Sequence, residues 1–109
     1  MILATIRMTI HAKKRGEALK ILKSIAGHCK IYPGCLGCHI YEDVQEYNVL
    51  VYEEMWSSEE DLERRLRSDD YRNLLLVMEM ALKHPEVRFN AVSTSTGMEM
   101  IEKARSSAC

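Results

Sequence analysis

Glu54, Met55 and Trp56 close the apolar run Val49-Leu50-Val51-Tyr52, and two serines follow directly. The run reads as a strand and the serines as a helix cap, so the one tryptophan of the chain falls at the seam between a sheet edge and a helix. A large amphipathic ring at such a seam either plugs a core or walls a ligand pocket. Glu54 shares the face of Tyr52 and Trp56 by strand alternation, where a carboxylate is costly to bury unless it is paired or used. The alternative is that Glu53 and Glu54 both face the rim of the sheet.

A second group of reactive side chains, His28, Cys29, Cys35, Cys38 and His39, falls within twelve residues. Cys35-Leu36-Gly37-Cys38-His39 matches the attachment pattern of c-type haem, in which two thiols bond the vinyl groups and the histidine ligates iron. The pattern opens a strand, however, and regular alternation sends Cys35 and Cys38 to opposite faces, which disfavours haem attachment and disulfide closure alike. A redox pair of the thioredoxin kind sits at a helix N-terminus, where the dipole lowers the thiol pKa, whereas this CxxC follows a helix. Zinc takes Cys and His ligands, but the spacing matches no common finger. The expectation is no metal, with Cys29, Cys35, Cys38 and Cys109 as reduced thiols in a cytosolic protein.

The elements that must position these groups follow from periodicity. Ile2 to Ile10 alternates as a half-buried strand. From about Lys14 to Cys29, Ala18, Leu19, Leu22, Ile25, Ala26 and Cys29 lie on one face of a helix, which Tyr32-Pro33-Gly34 stops. Strands over Cys35–Asp43 and Tyr47–Trp56 make an antiparallel hairpin about a polar turn. Ser57 and Ser58, each with an acid three residues on, cap a helix carrying Leu62 and Leu66. Ser68-Asp69-Asp70 restarts the pattern, and Tyr71, Leu74, Leu75, Met78, Ala81 and Leu82 carry the stripe to His84-Pro85. Val87, Phe89 and Ala91 alternate into a fourth strand ending near Ser95, and a short helix runs from Thr96 to about Arg105. The order is that of an α+β, ferredoxin-like βαββαβ fold with a four-stranded antiparallel sheet, over residues 1–95, and a helical tail over 96–109. Apolar residues on both faces of the central strands imply a partner, most simply a second copy docked through the sheet.

Composition bounds the function classes. At 109 residues the chain forms one domain with one core. A net charge of −1 gives no electrostatic footprint for nucleic acid or anionic membrane. The N-terminal apolar run alternates with Thr and Arg and precedes its positive charges, unlike an export signal, and no stretch approaches membrane-spanning length.

The combination Pro33-Gly34-Cys35-Leu36, Tyr41, Glu54-Met55-Trp56, Ser58, Leu62, Ser68 and Tyr71 resembles the antibiotic biosynthesis monooxygenase family over about residues 1–95. These are small dimeric α+β-barrel proteins, some of them cofactor-independent quinol monooxygenases. The resemblance implies a pocket between sheet and helices where a quinol or polyphenol-like molecule is deprotonated and reacts with dioxygen, without cofactor. It implies Trp56 as pocket wall, Tyr52 and Tyr41 as hydrogen-bonding walls, Tyr71 and Ile6 as further lining, and Glu54 or Arg65 as the charged group. Many members carry histidine where this chain has Arg65 and Asp70. Arginine stays protonated, so it cannot be a general base, though its charge can hold a phenolate. The haem-degrading branch of the family carries an asparagine and a histidine where this chain has Ile6 and Leu75, which argues against haem degradation. Read without the resemblance, Arg65 belongs to a charge run facing solvent and pairs with Asp61 one turn earlier. The alternatives to a monooxygenase are a non-catalytic ligand-binding or stress-associated dimer of the same fold and, further off, a Cys/His metal protein.

Overall fold

The structure, a computed structural model, describes residues 1–107, and Cys109 lies outside them. Its elements are β1 (Ile2–Thr9), α1 (Ala12–Cys29), β2 (Cys35–Glu42), β3 (Val49–Trp56), α2 (Glu59–Leu66), α3 (Asp69–Glu79), β4 (Glu86–Ala91) and α4 (Met98–Ser107). The strands form one sheet in the order β2-β3-β1-β4 with every neighbouring pair antiparallel, the ferredoxin-like α+β arrangement.

Several boundaries are set by polar details that periodicity does not carry. His11 caps α1 by accepting the Lys13 N–H on Nδ1, so the helix starts at Ala12, two residues before the expected Lys14. Asp43 Oδ1 accepts the N–H groups of Gln45 and Glu46, and this turn ends β2 at Glu42 and delays β3 to Val49. Ser58, as expected, caps α2 by accepting the Asp61 N–H, and Ser68 caps α3 by accepting that of Tyr71. The α3 stripe stops earlier than His84. Leu82 N donates to Thr9 O at 2.8 Å and Ala81 bridges Ile10, pulling the chain back to the sheet. β4 likewise stops at Ala91, short of Ser95.

The core lies between the sheet and α1, α2 and α3. Ile6, Met8, Ile10, Leu50 and Tyr52 meet Ala18, Leu22 and Ile25 of α1 and Tyr71, Leu74 and Val77 of α3, all buried. Each large apolar side chain so enclosed contributes roughly 1.5–3 kcal/mol. A smaller cluster, Ala4, Cys29, Trp56 and Leu62, closes the end of the sandwich near α2. On the other face of the sheet Leu3, Thr5, Val51 and Met55 are only half-buried and Tyr41 is exposed.

The register corrects one expectation. Cys35 lies opposite Trp56 and Cys38 opposite Glu54, with a bulge between Cys35 and Gly37. The extra residue, Leu36, resets the alternation, so both cysteines stand on the helix side of the sheet instead of on opposite faces.

Candidate functional site

The helix side of β3 carries a buried polar network. Glu54 is 2% exposed and Arg65 is fully enclosed. The guanidinium approaches the carboxylate through Nη2 at 3.0 Å and Nε at 3.2 Å from Oε2. Trp56 Nε1 donates to Glu54 Oε1 at 3.0 Å, and Tyr52 Oη donates to Oε2. Arg65 therefore does not face solvent. Asp61, its expected partner, ties instead to Arg64, Ser57 and Ser58. Burial opposes the Arg65 charge, but hydrogen bonding and attraction from Glu54 outweigh it and hold the group protonated. Burial, then the Glu54 charge, raise Tyr52 far above the ordinary phenol value, so its hydroxyl stays protonated and available as a donor. The same two causes push Tyr71 up to about 12.

This arrangement gathers Glu54, Arg65, Tyr52 and Trp56, four of the residues singled out from the sequence, but encloses them. The groove between α1 and α3 and the cleft beside Cys38 and Lys30 are lined by other side chains than these four. Trp56 is fully buried, so here its ring plugs the seam. Ile6 and Tyr71 pack in the main core. Tyr41 is not brought to the network at all. It pairs with Val51 across the hairpin, on the opposite face of the sheet, and its hydroxyl approaches Glu53 Oε1 at 3.5 Å. Strand alternation put Tyr41 and Tyr52 on different sides, because Tyr52 pairs with Ile40.

The network reaches the surface through Tyr32, Asp70 and His28. Among the described residues Arg65 Nη1 has no hydrogen-bond partner, and it lies 3.9 Å from Asp70 Oδ2. The guanidinium also stacks on the Tyr32 ring, 4.7 Å from its centre, and Tyr32 Oη donates to Asp70 Oδ2 at 2.8 Å. Asp70 Oδ1 in turn lies 3.5 Å from His28 Nδ1. His28 and Asp70 line a groove of about 460 Å³ between α1 and α3, with Ser24, Asn73, Ile21 and Leu76 among the other walls. The α1 walls recur at three- and four-residue steps, so one stripe of the helix supplies them. The chain thus places an imidazole on the groove wall, a carboxylate 3.5 Å from it, and a buried cation behind the carboxylate. The sequence held a signal for Asp70, at a position where relatives often have histidine, but none for its meeting with His28.

Beside the network sit three thiols. Cys29 Sγ lies 3.3 Å from Cys35 Sγ. Cys38 Sγ lies 3.2 Å from Tyr52 Oη, and the ligand atoms of Cys29, Cys38 and Glu54 all fall within 4.8 Å of one another.

The model of the family described as antibiotic biosynthesis monooxygenase matches residues 1–75. No curated protein matches the chain significantly. Among solved structures, a conserved protein of Methanosarcina mazei is 22% identical with a TM-score of 0.77, covering 82% of this chain and 89% of that one. A candidate antibiotic biosynthesis monooxygenase of Caulobacter crescentus is 21% identical with a TM-score of 0.76, covering 84% and 90%. Another candidate of that description, from Deinococcus radiodurans, is 13% identical with a TM-score of 0.81, covering 90% and 98%. At these identities the likeness is one of fold.

Proposed function

This chain belongs to the antibiotic biosynthesis monooxygenase family, and we propose that it is a cofactor-independent monooxygenase that oxidises a quinol or polyphenol-like molecule with dioxygen at the groove between α1 and α3. The observation that carries the reading is the contact of His28 Nδ1 with Asp70 Oδ1, 3.5 Å, on the wall of a groove of about 460 Å³. That volume lies within the usual range for a small-molecule site, roughly 300–1,000 Å³.

The reaction class asks little of a protein beyond acid–base work. A quinol and dioxygen give a hydroxylated quinone and water. One oxygen atom is retained, the other leaves as water, and the quinol supplies every electron. The protein has to take the phenolic proton, because the phenolate gives up electrons far more readily than the phenol. In this reading His28 is the base, and Asp70, 3.5 Å from its Nδ1, positions the ring. Arg65 lies behind Asp70 and Glu54 lies behind Arg65, so in this reading both are positioning residues and touch no substrate. Ile21, Ile25 and Leu76 supply the apolar wall against which an aromatic ring lies. The half-buried outer face of the sheet, with Leu3, Val51 and Met55, is the surface through which two copies pair.

The test is oxygen uptake with a panel of hydroquinones, for wild type, His28→Ala, Asp70→Asn and Trp56→Phe. We expect His28→Ala to lower kcat/KM by about 10²–10⁴-fold, Asp70→Asn to lower kcat more than it raises KM, and Trp56→Phe to leave both within about threefold. Loss of turnover in Trp56→Phe with His28→Ala unaffected moves the site to the enclosed network. No uptake with any quinol, together with saturable binding of one, makes the protein a ligand-binding member of the family.

A further inference from the structure

The thiol cluster is not used by the proposed oxygenation, and its geometry carries a separate inference. The bulge at Leu36 brings Cys35 and Cys38 to one face, and the last residue of α1 brings Cys29 between them. Cys29 is fully buried, whereas Cys35 and Cys38 are partly exposed. Cys38 also lines a surface cleft of about 330 Å³ together with Lys23, Lys30 and His39, an entrance rich in groups that favour an anion. A metal is poorly served here. Glu54, the remaining ligand of the cluster, already has both oxygens engaged by Arg65, Tyr52 and Trp56. Sulfur chemistry is better served, because the 3.3 Å between Cys29 and Cys35 has to close by only about 1.3 Å to reach a disulfide bond.

We propose that Cys38, Cys29 and Cys35 form a peroxide-reactive thiol relay, in which Cys38 is oxidised first, Cys29 resolves it and Cys35 receives the final disulfide. The substrate class is hydrogen peroxide or a small organic hydroperoxide. In the first step the Cys38 thiolate attacks one peroxide oxygen, the O–O bond breaks, and hydroxide or alkoxide leaves and takes a proton. Cys38 is then a sulfenic acid. In the second, Cys29 sulfur attacks the sulfenic sulfur, the S–O bond breaks, and water departs with the Cys29 proton. In the third, the Cys35 thiolate attacks Cys29 Sγ and Cys38 leaves as thiolate. Two thiols and one peroxide thus give one disulfide and two molecules of water, or water and alcohol.

The surroundings sort the roles. The Cys29 thiol, with its sulfur within 4.8 Å, is the chief cause that lowers Cys38 below the ordinary thiol value, against the opposing effects of burial and the Glu54 charge. The same contact with Cys38, then burial, hold Cys29 protonated. The final Cys29–Cys35 bond would clamp the turn that carries Tyr32, the residue stacked on Arg65 and bonded to Asp70. The relay therefore has a route to the groove, though it operates without any quinol.

The experiment uses full-length protein carrying Cys109→Ser, reduced and then mixed with limiting hydrogen peroxide without quinol. Expected are the loss of two thiols per peroxide, a Cys29–Cys35 disulfide on peptide mapping, and no chain-to-chain crosslink. Cys35→Ser should arrest the bond at Cys29–Cys38. Cys29→Ser should leave a sulfenic acid on Cys38 that a 1,3-dione probe traps. Cys38→Ser should slow thiol loss at least about tenfold. A Cys38→Ser protein oxidised as fast as its parent overturns the proposal, as does a parent no faster than free cysteine. Against variants that fail to fold, alkylation of the parent alone decides, since Cys38 must react before Cys29 and Cys35, and the reverse order overturns the assignment.

Discussion

Replacing Arg65 by methionine isolates what the buried ion pair does. Methionine fills most of the arginine stem's volume, so the change removes the charge and donors with little cavity. Glu54 would then keep the Trp56 and Tyr52 donors but lose the three contacts with Nε and Nη2, which lie at 3.0–3.4 Å. At 2% exposure no water replaces them. Removing one partner of a buried pair costs about 3–5 kcal/mol, and the surviving donors place this case near the lower end, about 3 kcal/mol. In a domain of this size each kcal/mol moves Tm by roughly 4 °C, so Arg65→Met should melt on the order of 12 °C lower. Urea unfolding followed by far-UV circular dichroism measures the free energy directly. Adding Glu54→Gln removes the stranded charge and keeps an acceptor for the indole N–H, so the double variant should be more stable than Arg65→Met alone. A loss below about 1 kcal/mol in Arg65→Met, or no recovery in the double variant, refutes the view that the charges stabilise chiefly each other.

Other outcomes follow from local geometry. Gly34 has φ +83°, and an added Cβ would meet the Asp61 carboxylate, so Gly34→Ala should cost at least about 1–2 kcal/mol, read as a lower urea midpoint. Asp43 is held below its ordinary 3.8 chiefly by the Gln45 and Glu46 N–H groups, and Asp61 below the same value by the Ser57 and Ser58 hydroxyls. Lowered folded-state values mean that their stabilisation is complete above pH 3.8 and is lost as pH falls through the lower folded values. Asp43→Asn and Asp61→Asn should each flatten the fall of the urea midpoint below pH 3.8, and an acid limb as steep as in wild type refutes the assignment.

The fold was legible because its signals are periodic. The alternation of Ile2 to Ile10 and the stripe Ala18, Leu22, Ile25, Cys29 depend only on which face is buried, and the structure buries those faces. The polar site was half legible. Glu54 drew notice as an acid on an apolar face, and its pairing with Arg65 joins residues eleven apart across a strand-to-helix turn. The charge run around Arg65 concealed this, because Arg64 and Arg67 look alike in sequence and only helix phase selects Arg65. The thiol cluster was misread for a local reason. Strict alternation separates Cys35 from Cys38, and a single unpaired residue, Leu36, reverses that conclusion. Gly37 was the available signal, since glycine inside a strand often marks a bulge. The meeting of His28 with Asp70 had no sequence signal, since it depends on how α1 and α3 pack.

Trp56, the one tryptophan, also makes the molecule its own optical instrument. Its indole is sealed from water, its N–H is fixed to a carboxylate, and Cys29 packs in the same small cluster. Its emission in the native state should therefore be blue-shifted and partly quenched, with no second indole to blur it. Parting of the Glu54–Arg65 seam would let water reach the ring and move the emission to the red. Oxidation of the neighbouring thiols would instead change intensity at nearly constant wavelength. A stopped-flow trace of a single unlabelled side chain can thus tell opening from sulfur chemistry in the same cuvette.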